Sequence, residues 1–330
     1  MKRKRHKLTS KDNSHNPHDA FFKEVMTNKD RACDFFKNYL PANILKLMDT
    51  NTLQIKKDSF IGKELKRFYS DILYQVGSKD KKAYFYLLFE HQSSIDKLIG
   101  FRFLEYMVKI WKLEEKQRPG IELLPPIIPL LLYHGKEKWQ IKGKFSELIY
   151  LGDQADVKLY IPDFTYRLYN FSSSSDLQIK GDIILRICLE LFRHIFDQEL
   201  SGIREAFSLL NTLTLKERTT LEFIEAMFRY IMSTRSDARP EVLKDLVEEV
   251  VSSANKELGG VVMTVAEELE KKGMEKGMEK GMEKGMEKGE LIGDIRVAQL
   301  SKRLRMTNKK ELERLSIKEL ERRLTELSVE

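Results

Sequence analysis

The chain has 330 residues, 42% hydrophobic and 33% charged, enough apolar material for one or two packed domains. Lys and Arg total 58 against 51 for Asp and Glu, so the net charge is +7 and the isoelectric point near 9.0, a balance that favours a polyanionic partner, either nucleic acid or an anionic surface. The longest apolar run, IELLPPIIPLLLYHG, contains Pro125, Pro126 and Pro129 and is too short to cross a bilayer, so no transmembrane segment and no membrane partner are expected.

Residues 1–17 read as a disordered basic N-terminus. Its MKRKRHK run is either an arm for nucleic acid or a solvated end, and it lacks the apolar h-region of a signal peptide. From His18 to Tyr39 the apolar residues Phe21, Phe22, Val25, Ala32, Phe35, Phe36 and Tyr39 have helical spacing, and Pro41 ends the segment. Leu53 to Gln92 reads as strands. Ser70–Val76 and Lys82–Gln92 flank GSKDK, which predicts a hairpin with a loop longer than two residues. The next helix is expected to turn Leu98, Phe101, Leu104, Tyr106, Val108 and Trp111 inward. Pro125–Gly135 is a proline-edged buried strand, and LYIPDFTYRLYNF alternates as another. From about Asp176 amphipathic helices follow one another with short joints.

Gly273–Glu290 repeats the tetrapeptide Gly-Met-Glu-Lys four times. On a helix this period lines up a glycine stripe and a methionine stripe. Each glycine costs roughly 1 kcal/mol relative to alanine, and like charges four residues apart oppose the helix. The repeat is therefore either an oligomerising helix or a flexible spacer. The C-terminal tail is helical, with Leu312, Leu315, Leu320, Leu324 and Leu327 as its apolar residues. Cys33 and Cys188 are far apart, with no CxxC, and read as buried free thiols suited to a reducing cytoplasm.

The chemistry centres on YFYLLFEHQSS (Tyr84–Ser94). Strand side chains alternate, so Tyr84, Tyr86, Leu88, Glu90 and Gln92 share one face, while Phe85, Leu87, Phe89 and His91 share the other. Folding the hairpin sets Asp71 opposite residues 88–90, so that its carboxylate and that of Glu90 repel unless a cation lies between them. A hard divalent cation held by oxygen ligands resolves that repulsion, with the backbone carbonyl of His91 as a further ligand, and such a metal serves phosphodiester hydrolysis. The plain alternative is an ordinary polar strand end. Gln92 orients water or phosphate but cannot act as a base. His91 faces the core as a packed, hydrogen-bonded residue. His18 supports the first helix and His134 a strand end, and their spacing does not suggest zinc. Asp163 reads as a structural turn residue. No P-loop, GxGxxG or GxSxG arrangement is present.

Asp71 in FYSDILYQV followed by Glu90-x-Gln92 resembles the D…(D/E)-x-K core of PD-(D/E)XK nucleases, with glutamine in place of lysine. Five segments in order, HDAFFKEV, YSDILYQV, LLFEHQSS with FRFLEYMVKIW, LLLYHG and PDFTYRL, more narrowly resemble the Rpn family of recombination-promoting nucleases, often labelled "putative transposases". The resemblance covers about Pro17 to Phe171, with the helical C-terminal part and its repeat. It implies an α/β fold: a PD-(D/E)XK restriction-endonuclease-like core, with a mixed central sheet flanked by helices, over residues 18–175. A helical region over 176–270, the repeat over 271–290 and a helical tail over 291–330 follow. It implies a Mg²⁺-dependent DNA endonuclease, with Mn²⁺ as the alternative metal, acting in recombination, transposition or defence against foreign DNA. Asp71 and Glu90 are then the metal ligands and Gln92 holds the usual lysine's place. Asp19 matches an acidic position that such nucleases aim at the metal, Lys23 contacts phosphate, and Arg102 supplies the charge that Gln92 lacks. The alternative is a catalytically weak or inactive nuclease-like protein that binds DNA and self-associates through its C-terminal region.

Overall fold

Asparagine side chains start the first two helices. Asn16 Oδ1 accepts the His18 amide at 3.2 Å ahead of α1 (Pro17–Met26), and Asn28 Oδ1 accepts the amides of Asp30 and Arg31 ahead of α2 (Lys29–Tyr39). The apolar stretch from His18 to Tyr39 is thus two helices, because Asn28 satisfies a new set of N-terminal donors. Pro41 then precedes the single turn α3 (Ala42–Leu45). The structure is a computed structural model that describes residues 16–56, 72–80, 84–150, 155–212, 218–250 and 256–329. Asp71 and the basic run MKRKRHK lie outside the described residues.

Among the described residues, five strands form one mixed sheet in chain order: β1 (Met48–Ile55), β2 (Ile72–Ser78), β3 (Tyr84–Gln92), β4 (Ile127–Tyr133) and β5 (Arg167–Asn170). β1, β2 and β3 run antiparallel, with Ile72 opposite Phe89 and Gly77 opposite Tyr84, which is the predicted hairpin. β3, β4 and β5 run parallel, with Phe89 opposite Leu130 and Gln92 opposite Tyr133. Helix α4 (Ile99–Gln117) lies between the parallel strands β3 and β4 in the chain, as a parallel connection requires. β3 and β4 are apolar almost throughout because both of their faces are covered.

One face packs against α1 and α2. The Phe89 ring lies 5.2 Å from Phe22, 4.9 Å from Phe35 and 5.8 Å from Phe36. On the other face Tyr86, Leu88, Leu131 and Tyr133 pack with Ile99, Phe103, Tyr106 and Ile110 of α4. The inward stripe of α4 differs from the expected one: Leu98 and Phe101 are half exposed, and Tyr106 alone of the expected six is fully buried. Positions 99, 103, 106 and 110 follow the 3.6-residue period, whereas the rest of the expected set lies about half a turn away on a face that is apolar but wet.

Helices α5 (Ile183–His194), α6 (Ser201–Ser208), α7 (Arg218–Thr234) and α8 (Pro240–Val250) follow β5. Asp182 caps α5 by accepting the Leu185 amide at 2.8 Å. α7 packs on α1, with Phe21 stacked on Tyr230 at 4.4 Å. Cys188 is buried in α5, and Cys33 donates to the Thr50 carbonyl; burial raises the pKa of both thiols.

Residue contacts divide the chain into two units, 1–266 and 267–330. Helix α9 (Lys256–Ser301) includes the whole repeat, which is therefore helical. In the second unit Ile292 and Ile295 of α9 pack with Leu312 of α10 (Lys309–Leu312) and Leu320 of α11 (Ile317–Val329). Among the described residues no helix is long and apolar enough to cross a membrane.

Three histidines, distant in sequence, meet on the α1 face of the sheet. The His134 ring lies 4.9 Å from His91, 5.0 Å from His18 and 4.6 Å from Phe192 of α5. His18 Nδ1 is 2.9 Å from Tyr230 Oη, and among the described residues neither nitrogen of His134 has a hydrogen-bond partner. Burial, and then the neighbouring His91, lower the pKa of His18 to about 4, against the opposing pull of Asp19; burial, His91 and His18 hold that of His134 well below its ordinary value.

Two outcomes are expected. Phe89→Ala, at the centre of the α1–α2 layer, should cost about 3–5 kcal/mol in urea denaturation, and a loss below about 1 kcal/mol would contradict this packing. The folded protein keeps His18 and His134 neutral, so their contribution is whole above the unfolded pKa of about 6.5 and falls as pH drops through that value and towards about 4. His134→Phe should remove its share of the loss, about 1.4 kcal/mol per pH unit; parallel stability profiles for variant and parent between pH 7.5 and 4.5 would refute it.

Candidate active site

The apolar stretch of β3 ends in Glu90, His91 and Gln92, and the strand's alternation sends them to different layers. Glu90 is fully buried beneath α4. Its Oε1 accepts two hydrogen bonds, from Gln92 Nε2 at 2.6 Å and from Arg102 Nη1 at 2.9 Å. Its Oε2 is buried without a hydrogen-bond partner among the described residues.

Asp96 sets the position of Arg102. One carboxylate oxygen accepts the Leu98 amide at 2.9 Å at the start of α4, and the other pairs with Arg102 Nη2 at 2.6 Å. Arg102 lies on the first turn of α4, so this contact and the Glu90 contact fix its guanidinium from two sides. Burial opposes the charge of Arg102, but Glu90, Tyr106 and Asp96 outweigh it and raise its pKa. The arginine side chain is 35% exposed and that of Asp96 is 23% exposed, so the buried carboxylate communicates with solvent through this pair.

The backbone beyond Gln92 is held closely. The His134 amide donates to the Gln92 carbonyl at 3.2 Å. A Cβ on Gly135 would fall 2.6 Å from the Ser93 carbonyl oxygen and 2.5 Å from Tyr133 Oη, so only glycine lets the two chain ends approach this far.

A second buried carboxylate on the same face provides a comparison. Glu114 of α4 accepts from the hydroxyls of Tyr84 and Tyr86 and from Nε and Nη2 of Arg118. Burial raises its pKa, and the two tyrosines and Arg118 outweigh that, leaving it lowered. Both of its oxygens are satisfied, as a structural carboxylate requires. Glu90 is satisfied on one oxygen only.

Glu90, Gln92 and Arg102 are therefore brought together. Asp71 lies outside the described residues; the last described pair of its hairpin joins Ile72, the residue after Asp71, to Phe89, the residue before Glu90. Asp19 requires a correction. α1 packs on the Phe89 and His91 face, so Asp19 Oδ1 meets His91 Nδ1 at 3.1 Å on the side of the sheet away from Glu90. Lys23, one turn on, lines a cleft between α1 and α7 with Asp19 and Arg229 and has no place beside Glu90. The His91 side chain is buried and stacks on Phe22 at 4.8 Å, and its backbone lies within the β3–β4 ladder opposite Leu132. Asp163 pairs with Lys144 at 2.8 Å and accepts the Ser146 amide, holding a turn. Among the described residues no group of three or more His, Cys, Asp or Glu side chains is arranged to hold a metal ion.

Sequence reasoning missed Asp96. Its signal was available, since an aspartate just before a helical pattern is a start signal, and Arg102 follows one turn and a half later. It also missed the meeting of the three histidines, for which sequence spacing gives no cue.

Comparison with known proteins places the chain in a family. The family model described as "Putative transposase, YhgA-like" matches residues 16–222. Recombination-promoting nuclease RpnA of Escherichia coli (strain K12) is 32% identical over 267 residues, covering 80% of this chain and 87% of the relative. Inactive recombination-promoting nuclease-like protein RpnE of the same strain is 30% identical over 261 residues, covering 78% and 82%. Recombination-promoting nuclease RpnD of Escherichia coli O157:H7 is 29% identical over 267 residues, covering 77% and 94%. No solved structure matches the chain. The extent of these matches shows that the chain belongs to the YhgA-like transposase family, together with the Rpn recombination-promoting nucleases.

Proposed function

We propose that the protein is a metal-dependent DNA endonuclease built on a PD-(D/E)XK core, with Glu90 and Asp71 as its metal-binding carboxylates. The observation that carries this reading is the unpartnered, buried Oε2 of Glu90. Leaving a charged oxygen buried and unpaired is costly, and a divalent cation is the partner that removes the cost. The donor set is all oxygen: Glu90, Asp71 and the His91 backbone carbonyl, which suits Mg²⁺ or Mn²⁺. When bound, such an ion polarises a phosphoryl oxygen and lowers the pKa of a water.

The remaining roles fall to the chain's own side chains. Gln92 fixes the rotamer of Glu90 through Oε1 and leaves Oε2 free. Arg102, partly exposed and tied to Asp96 by one ion pair, is the cation that meets a DNA phosphate and offsets charge there. The net charge of +7 favours DNA as the polyanion. Free thiols suit action in a reducing cytoplasm.

A second reading, DNA binding with weak or no cleavage, is favoured by the chemistry of residue 92. Glutamine brings no charge, and Arg102 is already shared by two carboxylates. One relative of similar identity is named inactive.

A plasmid-nicking assay with Mg²⁺ or Mn²⁺ decides between them. Under the first reading the parent nicks DNA, and Glu90→Gln and Asp71→Asn each lose about a hundredfold or more. A Glu90→Gln protein as active as its parent would sink the site assignment. Binding that weakens steeply with salt, with no cleavage by the parent but cleavage gained by Gln92→Lys, would select the second reading.

A further inference from the structure

The wet face of α4 borders the Glu90–Arg102 pair. Leu98 and Phe101 stand three residues apart at the start of the helix, so they share one face, and Arg102, four residues on from Leu98, is the next position along it. Glu90 and Asp96 draw the guanidinium towards the buried carboxylate. The two apolar side chains stay outside, Leu98 59% and Phe101 49% exposed. Val108, two turns on from Phe101, continues the same face and is also exposed. A contiguous apolar patch in contact with water marks an interaction surface.

The connection between β4 and β5 closes on the same turn. It contains a short 3-10 helix, Phe145–Leu148. A Cβ on Gly100 would fall 3.0 Å from Leu148 Cδ1 and 3.6 Å from Phe145 Cδ2, so the small residue lets the connection lie against the first turn of α4. Tyr150 follows Leu148 by two residues, at most about 7 Å of chain, and is 95% exposed. Lys97, between Asp96 and Leu98, and Lys142, on the connection, are exposed as well. The rim of the site therefore joins apolar and aromatic side chains to positive charge. A nucleotide matches that combination, with a flat base at one end and a phosphate at the other.

We propose that this rim holds an unpaired base, so that the site takes DNA carrying unpaired nucleotides (single strands, bulges, branch points or frayed ends) in preference to continuous duplex. The inference rests on the reading of Glu90 as part of a DNA-cleaving site and names the class of DNA that such a site selects. Position and charge identify the occupant. The rim is continuous with the Glu90 site, it is flanked by Lys97, Arg102 and Lys142, and the chain carries a net charge of +7, all of which favour a polyanion. Phe101 and Arg102 are successive residues about 100° apart around the helix, so a phosphate that meets the guanidinium sets its own base beside Phe101 and Leu98. In continuous duplex that base is paired and stacked, and exposing its face costs free energy. An unpaired base offers the face at once. Every base has a π-face, so the preference is for DNA structure and not for sequence.

Fluorescence anisotropy in EDTA, where metal-dependent cleavage is blocked, compares a labelled duplex with the same duplex carrying an unpaired bulge. The full-length parent should bind the bulged DNA about tenfold more tightly. Leu98→Ala with Phe101→Ala should bring that ratio close to one, and Phe101→Trp should keep it. Both side chains are largely exposed, so an unchanged circular dichroism spectrum and Tm are expected of the double variant. Equal binding of the two DNAs by the parent, or a preference that survives the double substitution, would overturn the proposal. A double variant with an altered oligomeric state in light scattering and an unaltered DNA ratio would make the rim a protein interface and overturn it equally. Nicking assays on both DNAs with Mg²⁺ separate this inference from the one beneath it. A parent that prefers bulged DNA in binding yet cuts neither would refute the nuclease reading and uphold the preference. One that cuts both at equal rates would refute the preference alone.

Discussion

A strand with a packed layer on each face must commit every residue to one layer or the other. β3 is that strand, and the ion pair between Glu90 and Arg102 is what allows it to end in a carboxylate. A fully buried carboxylate deprived of its partner is a liability of several kcal/mol. Arg102 supplies the opposite charge from the first turn of α4, and Asp96 fixes both that turn and the arginine. The placement of α4 on the sheet and the charge state at the strand end are therefore one problem with one solution. The crossover from β3 to β4 begins at the same place, so the parallel half of the sheet depends on it too.

The two layers use polar residues differently. Under α4, one carboxylate is saturated by two tyrosines and an arginine, and the other keeps an oxygen free. The first arrangement stabilises; the second leaves a vacancy in the hydrogen bonding that stability alone would select against. On the α1 side the polar groups are imidazoles set among phenyl rings, with Asp19 and Tyr230 at their edges. Burial disfavours the protonated form of His18 and His134, which pack there as aromatic rings. The histidine side thus behaves as core that depends on pH through His18 and His134, while on the glutamate side the unpartnered atom is a carboxylate oxygen.

Much of this was legible in YFYLLFEHQSS. Period-two alternation separated Glu90 and Gln92 from His91, and the turn residues of GSKDK gave a hairpin whose register pairs Ile72 with Phe89. Local periodicity was also enough to find most helices. It failed where two faces of a helix are both apolar: on α4 the wet face, with Leu98 and Phe101, looked as good as the buried one. It failed as well where the answer depends on which layer a helix joins. Asp19 was aimed at the metal site by its family position, but Phe22 docks α1 against Phe89 on the opposite side of the sheet from Glu90. No pattern within a helix states which face of a distant strand it will cover. The meeting of His18, His91 and His134 was hidden for the same reason.

The tetrapeptide period of α9 has a genetic consequence. Each Gly-Met-Glu-Lys unit is one structural step of about 6 Å and 40°. Gain or loss of a whole unit, as happens when repeated coding segments slip during replication, lengthens or shortens the helix and leaves every stripe continuous. A change of one, two or three residues instead rotates everything beyond it by a net angle of about 60° to 160° and breaks the stripes. The segment can therefore vary in copy number without losing its surface pattern, and its length is open to adjustment in a way that the folded sheet before it is not.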